Sequence, residues 1–83
     1  MDQIARTPKQ LGTIIRRHRR AHSLNQAALG EKTHLRQATI SAVENGEPGT
    51  QIKTVSDTLA ALGLEFVVRP RTSVSTTDVE DIY

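Results

Sequence analysis

The sequence predicts a mainly α-helical domain of four to five short helices, followed by one C-terminal strand. Two observations lead to this fold class: apolar residues recur at helical spacing through most of the chain, and one run rich in β-branched residues replaces that spacing near the end. A chain of 83 residues is long enough for one small domain. We expect four segments: a flexible leader over residues 1–6, a helical domain over 7–63, a strand over 64–70 and a disordered acidic tail over 71–83.

The first helix has a clear start signal. Thr7 can serve as the N-cap, Pro8 suits the first helical position, and Gln10 completes a capping-box-like pattern. One face then carries residues at helical spacing, namely Leu11, Ile14, Ile15 and His18. The pattern predicts an amphipathic helix over residues 8–21 with arginines on its other sides.

A second helix of about eight residues is expected after Asn25, which can cap it. Ala28 and Leu29 form its inner face, and the run Thr33-His34-Leu35 interrupts it.

The third helix is expected from about Arg36 to Glu44, with Asn45-Gly46 as its stop. Its polar residues come first, and its apolar residues, Ile40 and Val43, come later.

A fourth helix is expected after the loop at Pro48-Gly49, with Thr50 as its cap and Gly63 as its stop. Its core stripe is predicted to consist of Ile52, Val55, Leu59 and Leu62.

The run from Leu64 to Arg69 reads as a strand that ends at Pro70. The sequence offers no second strand candidate, and an isolated strand leaves its backbone N–H and C=O groups unpaired. A second copy of the chain, related by a two-fold axis, is the economical partner. We therefore expect a homodimer with contacts at Leu64, Phe66, Val67 and Val68.

Composition argues against several other classes of protein. The chain has no cysteine, which fits a cytoplasmic protein, and no apolar run approaches the length of a membrane span. We find no nucleophile triad, phosphate-cradling loop or metal cluster, so we expect neither an enzyme nor a cofactor. His18 and His22 are spaced i, i+4, but no cysteine or nearby carboxylate completes a zinc site.

Two short helices joined by a tight turn, between a basic helix and a packing helix, are typical of a DNA-binding helix-turn-helix. In that motif the second helix enters the major groove by its N-terminal end, while its other side packs on the domain. The third helix has this division, polar at its start and apolar behind.

Particular residues also carry a family resemblance. The segment from Gln26 to Asn45 resembles the Xre/Cro-type phage-repressor helix-turn-helix through Leu29, Gly30, Leu35, Ile40, Val43 and the closing Glu44-Asn45-Gly46. The turn of that family usually has Gly where His34 stands, so the resemblance implies a positive φ angle at His34, which histidine tolerates. The run from Gln37 to Ser41, the fourth helix and the trailing strand resemble HipB antitoxins. This resemblance implies a phage-repressor-like, dimeric repressor that binds its own operator and a HipA-type serine/threonine kinase toxin.

The expected roles at a double-stranded DNA operator follow from the side chains. Arginine can pair with guanine, glutamine with adenine, and a methyl group can touch thymine, so we expect base reading by Arg36, Gln37, Ala38 and Ser41. Phosphate contacts are expected from Gln26, Thr39, Thr50, Lys53, Arg16, Arg19 and Arg20, with Gln26 assigned by the resemblance. Two alternatives stay open, namely a stand-alone Xre-type regulator without a toxin and a helix-turn-helix used only as a protein-interaction module.

Overall fold

The computed structural model describes residues 3–71, which contain four α-helices. The helices are α1 (Pro8–Ala21), α2 (Gln26–Thr33), α3 (Gln37–Glu44) and α4 (Ile52–Ala61). The predicted mainly α fold is confirmed, and each helix begins and ends within two residues of its predicted bounds. Residues 1–2 and 72–83 are not described, so the predicted tail lies, except for Arg71, outside the described residues.

The predicted helix starts are formed by the expected caps. The Thr7 side chain accepts from the backbone N–H of Gln10 at 3.1 Å, and Pro8 occupies the first helical position. The Gln10 side chain accepts from the backbone N–H of Arg6 at 2.7 Å, one residue before the position that a strict capping box uses. Asn25 caps α2 by accepting from the N–H of Ala28 at 2.7 Å.

The core lies between the four helices and consists of Ile15, Leu29, Ile40, Val43, Leu59 and Leu62. α3 packs on both α1 and α2, and α2 also packs on α4. α3 is thus held from two sides, and this fixes its orientation relative to the rest of the domain.

The buried face of α1 differs from the predicted one. Its buried residues are Gly12, Ile15 and Arg19, while Leu11, Ile14 and His18 are half-buried beside them. Gly12 is required here, because a Cβ at this position would overlap the backbone carbonyl of Glu44 at the end of α3.

The start of α4 requires two corrections. Thr50 does not cap the helix, because the N-cap is Gln51 and the Thr50 hydroxyl instead donates to the carbonyl of Glu47 at 3.1 Å. Ile52 does not belong to the core stripe, because its side chain is 77% exposed at the first helical position. Val55 is half-buried against the core, and Leu59 and Leu62 are in the core, as predicted.

The segment after α4 forms neither helix nor strand in the part of the chain that the structure describes. Leu64 donates its N–H to the carbonyl of Leu59 at 2.8 Å and packs half-buried against the core. The residues after it leave apolar surface exposed, with Phe66 at 48%, Val67 at 68% and Val68 at 99%. A strand is defined by hydrogen bonds to a neighbouring strand, and residues 3–71 of one chain contain no such neighbour, so the predicted pairing across a dimer stays a prediction.

None of the described helices is long and apolar enough to cross a membrane.

Candidate nucleic-acid interface

The N-terminal end of α3 projects from the domain. Arg36 is its N-cap, and Arg36, Gln37 and Ala38 are exposed. One turn later Ser41 is half-buried on the same helix. We call these four residues, Arg36, Gln37, Ala38 and Ser41, the reading surface.

The opposite side of α3 is buried. Ile40 has no exposed surface, Val43 is 4% exposed and Glu44 is 2% exposed. The polar start and the apolar rear of the helix therefore face different surroundings, as its sequence predicts.

The turn between α2 and α3 sets the direction in which α3 leaves the domain. His34 adopts the left-handed conformation with φ 58° and ψ 34°, as expected from its place in the turn. The Leu35 N–H donates to the Gly30 carbonyl at 2.8 Å, and a Cβ on Gly30 would lie 2.6 Å from the Leu35 carbonyl oxygen. The turn is therefore closely packed against α2.

The carboxylate of Glu44 joins three helices. Its Oε2 accepts from Arg19 Nε at 2.6 Å. Its Oε1 accepts from Arg19 Nη2 at 3.0 Å, from Gln26 Nε2 at 3.2 Å and from Arg16 Nε at 3.3 Å. The Glu44 side chain has no exposed surface, so the end of α3 is held to α1 and to the start of α2 by a buried, fully partnered charge.

These contacts also change the acid–base behaviour of the pair. Burial raises the pKa of Glu44, but the hydrogen bonds from Arg19, Gln26 and Arg16, with the charge of Arg19, outweigh burial and hold the pKa below its usual value. The hydrogen bond to Glu44 raises the pKa of Arg19 against the opposite effect of burial. Both groups are therefore charged at neutral pH.

The position of Arg19 argues against its predicted role as a phosphate ligand. Its side chain is 9% exposed, and its guanidinium binds Glu44 and donates to the carbonyl of Leu24 at 2.9 Å. A buried guanidinium in this ion pair cannot also reach a phosphate, so Arg19 is an internal residue of the domain.

The other predicted phosphate ligands lie at or near the surface. Arg20 is exposed, and Lys53 is 83% exposed with an ion pair to Asp57 at 2.8 Å. Four are half-buried, namely Arg16, Gln26, Thr39 and Thr50. The Gln26 amide uses one of its N–H groups on Glu44, which places this side chain beside the end of α3.

One feature of the site is missed by the sequence reasoning. Arg16 Nη2 donates to Asn45 Oδ1 at 3.1 Å, and Asn45 Nδ2 donates to Ser41 Oγ at 3.4 Å. The sequence predicts only a helix stop at Asn45-Gly46, because the pattern of a helix end carries no information about a side chain 29 residues away. The i, i+4 spacing of Ser41 and Asn45 was the available signal.

The two histidines of α1 contact protein groups. His18 Nε2 lies 3.0 Å from Gln3 Oε1, and His22 Nδ1 lies 2.7 Å from the carbonyl of His18. Residues 3–71 contain no group of three or more His, Cys, Asp or Glu placed to hold a metal ion.

Comparison with known proteins places this geometry in context. A family profile described as helix-turn-helix matches residues 15–68. The chain is 36% identical over 58 residues to the putative antitoxin HigA2 of Mycobacterium tuberculosis (strain ATCC 25618 / H37Rv). That match covers 69% of this chain and 57% of HigA2, so this chain spans little more than half of the relative's length.

Solved structures of two HipB complexes are also similar. A chain from the complex of a HipB variant with an O2 20mer superposes with a TM-score of 0.76 at 30% identity, covering 83% of this chain and 96% of that chain. A chain of the HipA-HipB-O2-O3 complex gives a TM-score of 0.75 at 29% identity, covering 82% of this chain and 96% of that chain.

Proposed function

Because this chain belongs to the helix-turn-helix family, in its Xre-type branch, we propose that it is a sequence-specific transcriptional repressor and an antitoxin. In this proposal a homodimer binds a palindromic operator, and the protein neutralises a HipA-like serine/threonine kinase toxin. The observation that carries the proposal is the exposed N-terminal end of α3 on a helix whose other side is buried.

The reading surface carries side chains suited to base edges in the major groove. Arg36 can donate two hydrogen bonds to O6 and N7 of guanine, and Gln37 can pair with N6 and N7 of adenine. The Ala38 methyl can contact a thymine methyl, and Ser41 can reach a base edge one helical turn later. None of the first three is needed for the core, so each is available to DNA.

Phosphates on either side of the groove would be held by groups around α3. The N–H groups at the start of α2, near Gln26, and at the start of α4, near Thr50 and Lys53, suit an anion. Arg16, Arg20 and Thr39 complete the proposed set. Because these contacts displace counterions, we expect affinity to fall steeply with salt concentration.

The proposed dimer is supported by apolar surface that the single chain leaves exposed. Phe66, Val67 and Val68 follow α4, and within residues 3–71 the backbone of residues 65–70 makes no hydrogen bond to other backbone groups. Ile52 and Phe66 also line a cleft of about 350 Å³ together with Val43 and Val55. A second copy would cover this surface and pair the backbone, with Leu64 at the edge of its own core.

Related proteins give two candidates for the toxin. The complex that contains both HipA and HipB supports a HipA-like kinase as the partner. The match to HigA2, a putative antitoxin, favours a second candidate, an antitoxin that neutralises a toxin other than a HipA-like kinase.

Selection from a randomised duplex library tests DNA binding. We expect enrichment of a palindrome whose half-sites lie about 34 Å apart, one turn of DNA, because the two copies of α3 are related by a two-fold axis. A protein-interaction module would enrich no sequence and show no salt-dependent binding, and either result would contradict the proposal.

Co-expression tests the antitoxin role. The chain should relieve growth arrest caused by a HipA-like kinase and co-purify with it. Rescue of a toxin of another class, without rescue of the kinase, would support the second candidate, and rescue of neither would indicate a repressor without a toxin.

A further inference from the structure

A chain of hydrogen bonds runs from the buried core to the reading surface. The buried carboxylate of Glu44 accepts from Arg16 Nε at 3.3 Å, and Arg16 Nη2 donates to Asn45 Oδ1 at 3.1 Å. Asn45 Nδ2 then donates to Ser41 Oγ at 3.4 Å. Only Ser41 among these residues belongs to the reading surface.

The chemistry of Arg16 fixes the direction of this chain. A guanidinium is a donor only, so the group of Asn45 that faces it must be the carbonyl oxygen. The amide nitrogen of Asn45 therefore faces Ser41, and the Ser41 oxygen must accept. The contact between Asn45 and Ser41 is long, but the amide cannot turn around without placing a donor against Arg16.

The hydroxyl proton of Ser41 has no acceptor among residues 3–71. Thr13, Thr33 and Thr58 each donate their hydroxyl to the carbonyl four residues earlier, at 3.0, 2.9 and 2.8 Å. Ser41 makes no such bond and donates to no group among residues 3–71. Accepting from Asn45 also polarises the hydroxyl and strengthens its donation to a further group.

We propose that Asn45 is a positioning residue that directs Ser41 to donate to an acceptor on a DNA base, guanine O6 or N7, adenine N7 or thymine O4. Serine alone contacts either donors or acceptors on base edges, so this orientation adds a preference that the residue type does not have. The inference rests on the proposed DNA-binding function and adds a specificity determinant outside the reading surface.

Asn45→Asp is the most direct test, because it changes the shape of the side chain little and replaces the amide donor with an acceptor. Ser41 would then donate to the carboxylate that stands in place of the amide and present only lone pairs to DNA. The base pair read by Ser41 is first located with wild-type protein and Ser41→Ala, as the position where the alanine variant loses preference. Selection with Asn45→Asp should shift that position toward a base with an amino donor, cytosine N4 or adenine N6.

Base analogues measure the effect directly. Where the selected base is a purine read through N7, replacing it with the 7-deaza purine should weaken wild-type binding roughly 2- to 10-fold, the range expected for one net hydrogen bond. Where the selected base is thymine read through O4, replacing it with 4-thiothymine tests the hydrogen bond to that atom. Ser41→Ala should bind the natural and modified duplexes equally.

Gln51→Glu is the matched control for the added negative charge. Gln51 is exposed at the N-cap of α4, and it forms no side-chain cap hydrogen bond. We expect this variant to bind all sequences more weakly by a similar factor, with an unchanged preference at the Ser41 position. Asn45→Ala is a second variant that removes the donor without adding charge, and it should relax the preference.

Two results would overturn the proposal. The first is an unchanged preference in both Asn45 variants, and the second is a Ser41→Ala loss that is equal on all sequences, which would place Ser41 on a phosphate. Failure of the wild-type protein to enrich any sequence would instead contradict the proposed function itself.

Discussion

Glu44→Gln removes a charge from the centre of the domain and leaves the shape of the side chain almost unchanged. In the wild-type protein its two oxygens accept from Arg19 at 2.6 and 3.0 Å. The side chains of Arg19 and Glu44 are 9% and 0% exposed. Glutamine would turn one of the two acceptors into a donor, so that Arg19 remains buried and charged without a countercharge.

The expected loss is large relative to the stability of the domain. Removing one partner of a buried ion pair destabilises a protein by about 3–5 kcal/mol. At about 0.05–0.15 kcal/mol per residue, a chain of 83 residues has a free energy of unfolding of about 4–12 kcal/mol. Glu44→Gln is therefore expected to remove roughly a quarter of the stability or more.

Urea unfolding at pH 7, followed by far-UV circular dichroism, measures this loss. The protein concentration must be held constant, because the proposed dimerisation would make apparent stability depend on it. Glu47→Gln is the matched control: it makes the same chemical change three residues later at an exposed position, and it should stay within about 0.5 kcal/mol of wild type. A Glu44→Gln variant as stable as this control would refute the reasoning.

A double variant separates the unpaired charge from the lost contact. Arg19→Met combined with Glu44→Leu leaves no buried charge, and replacing both members of a buried pair with apolar residues is often close to neutral. The double variant should therefore be more stable than Glu44→Gln. The opposite order would mean that the contacts themselves, rather than the uncompensated charge, determine the loss.

Four further predictions concern the interface, the dimer, the helix contact and the acid stability. Gln37→Ala should weaken binding to the selected operator by about 1–3 kcal/mol and relax preference at one base pair, measured by titration, whereas an equal loss on random DNA would make Gln37 a backbone contact. Val67→Pro should give a monomer in analytical ultracentrifugation, because proline removes a ladder N–H, and Val67→Thr should remain dimeric; a dimeric proline variant would contradict the strand pairing. Gly12→Ala should lower the urea midpoint although alanine is the better helix former, because its Cβ overlaps the Glu44 carbonyl; a higher midpoint would show that α1 and α3 can move apart. The acid stability of the wild-type protein should follow the titration of Glu44, because folding lowers the pKa of this carboxyl from 4.5. The stability that Glu44 contributes is fully present above pH 4.5 and is lost as the pH falls through the lower pKa of the folded state. Glu44→Gln should therefore flatten the dependence of the free energy of unfolding on pH in this range.

Local signals in the sequence were sufficient for the helices. Thr7, Pro8 and Asn25 act through atoms within three residues of themselves, so their roles follow from the chain alone. His34 likewise adopts the positive φ that its position in the turn predicts. Such features depend on backbone geometry and need no knowledge of the tertiary structure.

Most of the wrong predictions concern residues whose contact partners are distant in the sequence. Arg19 is one of four arginines in the run Arg16–Arg20, and nothing local distinguishes it from Arg20, because its partner Glu44 lies 25 residues away. Gly12 was the overlooked signal, since a glycine inside a helix indicates a close approach of another element. It lies on the same face as Ile15 and Arg19 and would have moved the predicted buried face onto them.

The start of α4 shows a different limit of the sequence pattern. The helical spacing of Ile52 matches a core stripe, but periodicity gives the face of a helix and not how far the core extends along it. Ile52 is the first residue of α4, lies beyond the core residues of the domain and is exposed. Whether a second copy covers it depends on the assembly, which the pattern of one chain does not encode.

The exposure of Arg36, Gln37 and Ala38 has a consequence for how a repressor of the proposed kind would diverge. Their side chains add nothing to the packed interior, so under the proposed function exchanging them would alter which duplex is recognised and leave the folding equilibrium nearly unchanged. Paralogues could therefore acquire separate regulatory targets through a few substitutions, without compensating changes elsewhere in the scaffold.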